Sequence, residues 1–384
     1  MKVLWVSHSS GLAGAERALL EGVRAVASEQ ISIHVVAPSG GPLASVIASL
    51  GVPVSFIRYG WWMSPKGWRA PYYRATNGAS NLLAWPAVSR FLRTLKPDLV
   101  ITNTLVIPIW AMVSRKLGVP HVWFVHESGD AEGDTFDFGS RWTFKLVDAL
   151  SLLVIVNSRA AEHGLSRFVP SEKIRLACYA VETPDIGGRR TDSGVLTLAL
   201  VGRVSANKGQ AEAIEAVSLL VRKNLDVHLK IIGDTDSTFS RGLRRRASES
   251  DLARKVEFLP FSDNPFQHLS DTDLALMCSH KETFGRVTVE AMKMGKPVVG
   301  AAIDATRELI QDGWNGLLYE PGNVKDLADK ISMLYHDRAA LAIMGERART
   351  WATNQFTTRR YAQQLTSIFQ EAISISMNGS THAN

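Results

Sequence analysis

The segment Gly202-Arg203-Val204-Ser205-Ala206-Asn207-Lys208-Gly209 places two cations between two glycines. Arg203 offers a planar guanidinium fork to phosphate oxygens, and Lys208 offers a compact positive charge. The segment follows an apolar run and leads into a helical pattern, so both cations can converge on a ligand near the start of that helix. We expect this turn to neutralise a diphosphate, with Gly202 beside the ligand; two solvated surface cations are the alternative.

Two glutamates, Glu282 and Glu290, are separated by seven residues in a second polar segment. The sequence predicts Thr283 as the N-cap of a helix over 284–294 that ends at Gly295. Glu290 would then lie roughly 9 Å farther along the helix axis than Glu282. Carboxylates accept hydrogen bonds from vicinal hydroxyls, so one glutamate can hold a sugar and the other a ribose. A glycosidase acid/base pair is disfavoured, because its carboxylates face each other across the scissile bond.

The first half of the chain contributes two further candidate segments. Residues 7–14 form a glycine-containing turn before a helical pattern, but Gly11 and Gly14 lack the spacing of a dinucleotide fingerprint. His126 ends the apolar run 122–125 and opens a loop rich in glycine and acidic residues. A histidine in that position can hydrogen-bond substrate hydroxyls and titrates near neutral pH. Tight packing of the turn and a structural role for the histidine are the alternatives.

These segments follow strand-length apolar runs that alternate with amphipathic helical stretches, the pattern of doubly wound parallel α/β sheets. Ligands of such sheets bind outside the carboxyl ends of the strands, which is where all four segments fall. The sequence predicts two Rossmann-like domains, over 1–182 and 195–356, with a linker over 183–194, a last helix over 357–376 and a disordered tail over 377–384. The predicted strands are 3–7, 31–37, 52–57, 99–102, 121–125, 152–156, 196–201, 227–232, 256–258, 274–278, 297–300 and 316–319.

Composition and length agree with a globular protein of two domains. The chain has 384 residues, 46% hydrophobic and 21% charged, more than one core usually organises. We find no apolar run near the ~18 residues that span a bilayer and no secretory signal, so we expect a cytoplasmic protein. Cys178 and Cys278 are too few for a disulfide framework and lack metal-ligand spacing. The net charge of +6 favours anionic partners.

One segment, residues 61–74, departs from the alternation because proline and glycine interrupt any regular element. It interleaves aromatic rings with cations, which suits a membrane interface or a sugar-stacking surface. Packing of a long loop on its own domain is the alternative. Its aromatic residues are Trp61, Trp62, Trp68, Tyr72 and Tyr73, and its cations are Lys66, Arg69 and Arg74.

Taken together, these motifs resemble the family 4 glycosyltransferases, retaining enzymes of the GT-B fold. The likeness runs over nearly the whole chain. It rests on Gly11-Leu12-Ala13-Gly14-Ala15-Glu16-Arg17, on Val201-Gly202-Arg203 with Lys208-Gly209, and on Glu282-Thr283-Phe284-Gly285 with Val289-Glu290-Ala291-Met292. The glutamate element is the most specific part.

The resemblance implies a role for each residue. Arg203 and Lys208 would grip the donor diphosphate, Glu290 the ribose and Glu282 the donor sugar, while His126 would lie beside the transferred sugar. No metal or cofactor is implied, because the cations replace Mg²⁺. The last helix would return to the first domain, and the domains would close on the donor. The residues implied to bind the donor are Gly14, Gly202, Arg203, Lys208, Glu282, Thr283, Phe284, Gly285 and Glu290.

The expected activity is transfer of a sugar from a UDP- or GDP-sugar to a glycan in surface polysaccharide assembly. The aromatic segment suggests a lipid-linked acceptor at the inner face of the membrane, and we expect no nucleic acid partner. A nucleotide-sugar epimerase of the same fold and a non-enzymatic sugar-binding protein are the alternatives. The glutamate element argues against the first, and the convergent cations argue against the second.

Overall fold

In the computed structural model, residues 1–27, 31–126, 134–184, 194–234, 236–262 and 264–381 are described. The strands are β1 (Lys2–Ser7), β2 (Ser32–Ala37), β3 (Val54–Phe56), β4 (Met63–Pro65), β5 (Leu99–Asn103), β6 (His121–Val125), β7 (Asp134–Phe136), β8 (Leu153–Val156), β9 (Ile174–Leu176), β10 (Leu196–Val201), β11 (Val227–Asp234), β12 (Val256–Pro260), β13 (Leu274–Met277), β14 (Val298–Ala301) and β15 (Gly316–Tyr319). The α-helices are α1 (Gly14–Ala27), α2 (Pro42–Ser49), α3 (Ala70–Leu95), α4 (Ile109–Leu117), α5 (Ser140–Leu150), α6 (Arg159–Leu165), α7 (Gln210–Arg222), α8 (Thr238–Ala247), α9 (Phe266–Ser270), α10 (Arg286–Lys293), α11 (Asp304–Leu309), α12 (Val324–His336), α13 (Arg338–Gln355) and α14 (Thr358–Thr381).

The first structural unit comprises Met1–Ala180 together with Thr358–Asn384. Its main sheet is parallel, with strand order β3-β2-β1-β5-β6-β8-β9. The order reverses between β1 and β5, which are neighbours in the sheet and pair Ser7 with Asn103. In an open α/β sheet the crevice at such a reversal is the usual ligand site.

Helix α14 belongs to the first unit and packs against α1. The edge of the Phe369 ring meets the ring of Trp5, a fully buried residue of β1, with 6.1 Å between centroids. The Arg175 guanidinium, in β9, pairs with the Glu371 carboxylate. The last helix is therefore anchored through its apolar face and through an ion pair.

The second unit, Val181–Thr357, has a parallel sheet of order β12-β11-β10-β13-β14-β15. Its order also reverses at the first strand, between β10 and β13. The strands of this sheet are largely buried by helices, as near-continuous apolar runs require. The prediction of two doubly wound parallel units is confirmed, and every predicted strand is present within a few residues of its predicted bounds.

The differences lie in short elements. Strands β4, β7 and β9 have three residues each, too short for an alternation to reveal them, and β4 pairs antiparallel with β7. The aromatic segment is not irregular throughout, because α3 begins at Ala70 with Pro71 in its first turn, where a missing N–H costs nothing. Helix α14 continues to Thr381, so the predicted disordered tail is wrong as far as that residue. Most of the predicted linker, 185–193, lies outside the described residues.

Candidate functional site

In the second unit, the loops after β10 and β13 lie next to each other because the two strands are neighbours in the sheet. Gly209, which precedes α7, has a φ of 67°, and a Cβ there would overlap the carbonyl oxygen of Cys278. Only glycine allows this approach, so the residue brings the start of α7 against the end of β13. The backbone N–H of His280 donates to the carbonyl of Asn207 at 2.8 Å. The two predicted segments therefore form one surface.

Lys208 and Glu282 are in direct contact on this surface. The Lys208 Nζ lies 2.8 Å from Glu282 Oε2, and both side chains are partly exposed. Arg203 is fixed through its backbone, since Gln210 Nε2 donates to the Arg203 carbonyl at 3.2 Å. The guanidinium itself is exposed and makes no hydrogen bond or ion pair within the described residues. Lys208, predicted to bind phosphate, is thus paired with Glu282, predicted to bind the sugar, whereas the Arg203 guanidinium faces solvent.

Helix α10 begins at Arg286, two residues later than predicted, so Thr283 is not its N-cap. The cap is Gly285, with a φ of 80°, where a Cβ would lie 2.9 Å from Leu309 Cδ1. The left-handed conformation turns the chain into the helix and would strain any residue with a side chain at this position. Glu282, Thr283 and Phe284 therefore lie in the preceding loop, and the helical spacing assumed for the two glutamates does not apply.

Glu290 lies on α10 with its side chain almost fully buried, 4% exposed. Arg286, one turn earlier, donates from Nε to Glu290 Oε1 at 3.1 Å. A cation in the first turn of a helix opposes the helix dipole, and the ion pair compensates for it. Arg286 was not predicted as a site residue, although its i, i+4 spacing to Glu290 is a signal in the sequence.

In the first unit, Gly14 is the first residue of α1 and a Cβ there would meet nothing within 4 Å. Its turn follows β1, at the strand reversal. His126 follows β6 and is held on both ring nitrogens: Nε2 lies 2.8 Å from Asn103 Oδ1, and Nδ1 contacts the Tyr179 hydroxyl. Because Asn103 Nδ2 donates to Ala15 O at 2.9 Å, its Oδ1 is the acceptor and His126 Nε2 carries the proton.

Burial, together with the smaller effect of the neighbouring His8, lowers the pKa of His126 to about 3. The imidazole is therefore neutral near pH 7, and the prediction that it titrates near neutrality is wrong. The acidic loop expected after it extends to Asp137. Its first part, 127–133, lies outside the described residues, and Asp134–Phe136 form strand β7 rather than a loop.

His8 is a further candidate site residue, which the sequence did not single out within the turn 7–14. It follows β1 as His126 follows β6, and this parallel was the available signal. His8 Nε2 lies 3.2 Å from Oε1 of Glu16, a carboxylate only 1% exposed that also accepts from Ser9 Oγ. Burial lowers the pKa of His8, and Glu16 opposes that shift. The Trp61 ring lies against the His8 ring, with 5.7 Å between centroids.

The aromatic segment is only partly a surface. Trp62 is buried, stacks on Trp123 with 5.9 Å between centroids and donates to the carbonyl of Leu105, so its predicted contact with a membrane is wrong. Trp68 is 85% exposed, and the Arg69 guanidinium lies 4.8 Å from its ring centroid. The other exposed aromatic residues of the segment 61–74 are Trp61, Tyr72 and Tyr73. In the described part of the chain, no helix is long and apolar enough to cross a membrane.

Two family models match the chain. The model described as Glycosyltransferase Family 4 matches residues 12–183, and the model described as Glycosyl transferases group 1 matches residues 187–351. The D-inositol 3-phosphate glycosyltransferase of Pseudarthrobacter chlorophenolicus is 31% identical over 277 residues, 66% of this chain and 66% of that protein. The N-acetyl-alpha-D-glucosaminyl L-malate synthase of Bacillus anthracis is 30% identical over 168 residues, so this alignment spans 44% of the chain and less than half, 43%, of that relative.

The crystal structure of HepE from Anabaena in complex with UDP is similar to this chain with a TM-score of 0.78 at 23% identity, covering 97% of this chain and 100% of that one. HepE has also been solved with UDP and glucose and with UDP-glucose. The two family models match consecutive stretches that reach into both structural units. The chain therefore belongs to the family 4 glycosyltransferases and has the GT-B fold.

Proposed function

We propose that this protein transfers a sugar from a nucleoside diphosphate donor, UDP-sugar in preference to GDP-sugar, to a glycan acceptor with retention of the anomeric configuration. The observation that carries the proposal is the surface of the second unit where Lys208 contacts Glu282 beside the exposed Arg203. It combines phosphate-binding cations with a hydroxyl-binding carboxylate at the carboxyl ends of β10 and β13. The fold similarity to HepE, solved with UDP-glucose, supports the choice of donor.

In this mechanism Arg203 and Lys208 stabilise the charge that builds on the diphosphate as the bond from the anomeric carbon to phosphate oxygen breaks. These two cations supply the stabilisation that a metal ion supplies elsewhere, so the proposed reaction needs no metal. Glu282 holds a hydroxyl of the donor sugar, and Glu290, aligned by Arg286, holds the ribose. The acceptor hydroxyl oxygen bonds to the anomeric carbon from the face that the diphosphate leaves, its proton passes to the departing phosphate oxygen, and retention follows.

The proposed acceptor is a lipid-linked glycan, extended at the cytoplasmic face of the membrane during surface polysaccharide assembly. Support comes from exposed aromatic rings interleaved with cations on the first unit, among them Trp68 with Arg69 and Tyr72. Rings of this kind enter the headgroup region while the cations attract anionic lipids.

The first test is calorimetric titration of UDP, GDP, ADP and CDP into the protein in the presence of EDTA. We expect UDP to bind, and Arg203→Ala to weaken binding strongly because a charge-assisted contact to phosphate is lost. Arg245→Ala is the matched control, an exposed arginine of α8 in the same unit. Failure of all four nucleotides to bind would refute the donor site, and binding that requires Mg²⁺ would refute metal independence.

Retention is tested separately. Once a UDP-sugar with an α-linked sugar is turned over, proton NMR of the product should show an α-anomeric coupling. A β-linked product would overturn retention and leave the donor site intact.

A further inference from the structure

A cleft of about 350 Å³ opens on the surface of the second unit. None of its lining residues belongs to the loops that follow β10 and β13. Its volume falls at the lower end of the range of about 300–1,000 Å³ that small-molecule sites occupy. One wall is the turn between α11 and β15, and the other is the C-terminal half of α13. The side chains that line it include Trp314, Glu346, Arg347, Trp351, Asn354 and Gln355.

Both walls are rigid. In the turn, the backbone N–H of Gln311 donates to Asn315 Oδ1 at 2.8 Å, and Asn315 Nδ2 donates to Leu309 O at 3.0 Å. Asn315 is fully buried, so it anchors the turn that carries Trp314. On the other wall, a Cβ on Gly345 of α13 would overlap the carbonyl oxygen of Gly295, so that helix sits directly against the end of α10. The cleft is therefore preformed.

Two polar side chains of the cleft, Arg347 and Asn354, are available to a ligand. Arg347, Trp351 and Asn354 are spaced i, i+4 and i+7 along α13, so they share one face of the helix. Within the described residues, the side chains of Arg347 and Asn354 are not engaged in a hydrogen bond or an ion pair. Asn354 offers both an acceptor and donors, and Arg347 offers a fork of donors. Planar groups of this kind bridge vicinal hydroxyls.

The charges of the cleft indicate a neutral ligand. Arg347 is accompanied by Glu346, whose carboxylate lies 3.2 Å from Arg349 Nη2, so both signs are present. A phosphate or nucleotide site would need cations to predominate, as they do around Arg203 and Lys208. Trp314, 36% exposed, supplies an apolar face against which the C–H face of a pyranose ring can stack.

We propose that this cleft binds a neutral hexopyranose unit of a glycan chain, at a site separate from the donor surface. Trp314 stacks on the sugar ring, while Asn354 and Arg347 bind its hydroxyls. A chain held here stays at a high local concentration for repeated transfer. The site does not depend on the proposed transferase activity, since binding requires neither nucleotide nor catalysis.

A chain of aromatic contacts joins the cleft to the loop that carries Glu282 and Phe284. The Trp351 ring packs edge-on against Phe356 with 5.5 Å between centroids, and Phe356 packs edge-on against Phe284 with 5.6 Å. Phe284 directly precedes Gly285, the cap of α10. A sugar that contacts Trp351 is therefore linked to the loop of Glu282 through two successive ring contacts, Trp351 to Phe356 and Phe356 to Phe284.

The test is fluorine NMR of the full chain labelled with 5-fluorotryptophan, titrated with maltose, cellobiose and N,N′-diacetylchitobiose. The chain has ten tryptophans, and Trp314→Phe and Trp351→Phe assign the two resonances of interest. We expect at least one disaccharide to shift both resonances saturably. Trp314→Ala and Asn354→Ala should each weaken binding about tenfold, equivalent to about 1.4 kcal/mol. Trp142→Ala, which removes an exposed tryptophan of the first unit, should bind as the parent does.

Two outcomes would overturn the proposal: no disaccharide shifts either resonance, or Trp314→Ala binds sugar as the parent does. The nucleotide titration tests the donor site independently of the disaccharide titration. Sugar binding without UDP binding would refute the donor site and leave this cleft supported, whereas the reverse result would refute the cleft alone.

Discussion

Lys208 and Glu282 form an ion pair of 2.8 Å although 74 residues separate them in the chain. Their loops follow β10 and β13, which become neighbours because the strand order of the sheet reverses there. The pair holds the predicted phosphate-binding cation beside the predicted sugar-binding carboxylate before any ligand arrives. Such preorganisation avoids the cost of orienting charges during the reaction.

We expect Lys208→Ala to lower kcat by about 10²–10³, because a positioned charge that stabilises the leaving diphosphate is removed. Initial rates with saturating UDP-sugar are the measurement. Lys223→Ala is the control, since Lys223 forms a similar 2.8 Å pair with Asp329 on the surface of the same unit. A variant that keeps the parental rate would show that Lys208 does not contribute to the chemical step.

Gly209→Ala should destabilise the second unit, because the new Cβ would overlap the Cys278 carbonyl and the residue has a φ of 67°. Gly313→Ala separates the two effects: its φ is 75°, but a Cβ there meets nothing within 4 Å. We expect backbone strain alone to cost about 1–3 kcal/mol at Gly313 and the overlap to add to that at Gly209. Thermal unfolding of both variants is the measurement. Equal losses would show that the close approach to Cys278 is relaxed at little cost.

Arg286 and Glu290 should act as one unit in donor binding, because Nε of Arg286 fixes the carboxylate at 3.1 Å. We expect a double-mutant cycle of Arg286→Gln and Glu290→Gln, measured by UDP affinity, to give a coupling energy of about 0.5–3 kcal/mol. Each single variant should weaken UDP binding, and the double variant should weaken it by less than the sum. Additive losses would mean that Arg286 does not position Glu290.

The architecture and the positions of the candidate loops were predictable because they depend on local patterns. Apolar runs of strand length and the Gly202–Gly209 turn can be recognised from the sequence alone. Because ligands of open α/β sheets bind at the carboxyl ends of the strands, the candidate loops then follow from the strand positions. The helix start at Arg286 was wrongly predicted, because Thr283 is a favourable N-cap residue by type whereas the observed cap is Gly285 in the left-handed conformation. The neutral state of His126 depends on burial and on long-range partners, Asn103 and Tyr179.

Removing exposed aromatic rings from the first unit should weaken binding to anionic liposomes without affecting UDP affinity. We expect Trp68→Ala with Tyr72→Ala to lower the fraction that sediments with vesicles of phosphatidylglycerol and phosphatidylcholine, since both rings are exposed and the Arg69 guanidinium lies over the Trp68 ring. Leu82→Ala with Leu83→Ala is the control, two exposed apolar residues farther along α3. Unchanged sedimentation of the aromatic variant would refute the membrane surface assigned to this segment.

His121 should make the stability of the first unit depend on pH. Burial lowers the pKa of His121 to about 3, while an unfolded histidine keeps the ordinary value of 6.5. Below pH 6.5 the unfolded state binds a proton that the folded state does not, so the stability from this residue is lost as pH falls from about 6.5 towards 3. The slope is about 1.4 kcal/mol per pH unit.

His121→Gln removes that dependence along with the 2.8 Å hydrogen bond between His121 Nε2 and Thr102 Oγ1. The variant should be less stable than the parent at pH 7, and the difference should narrow as pH falls to 5. Denaturant unfolding followed by tryptophan fluorescence measures this, because eight of the ten tryptophans lie within residues 1–180. His163→Gln, an exposed histidine of α6, should leave the pH profile unchanged. A difference between His121→Gln and the parent that stays constant from pH 7 to 5 would show that burial does not suppress protonation of His121.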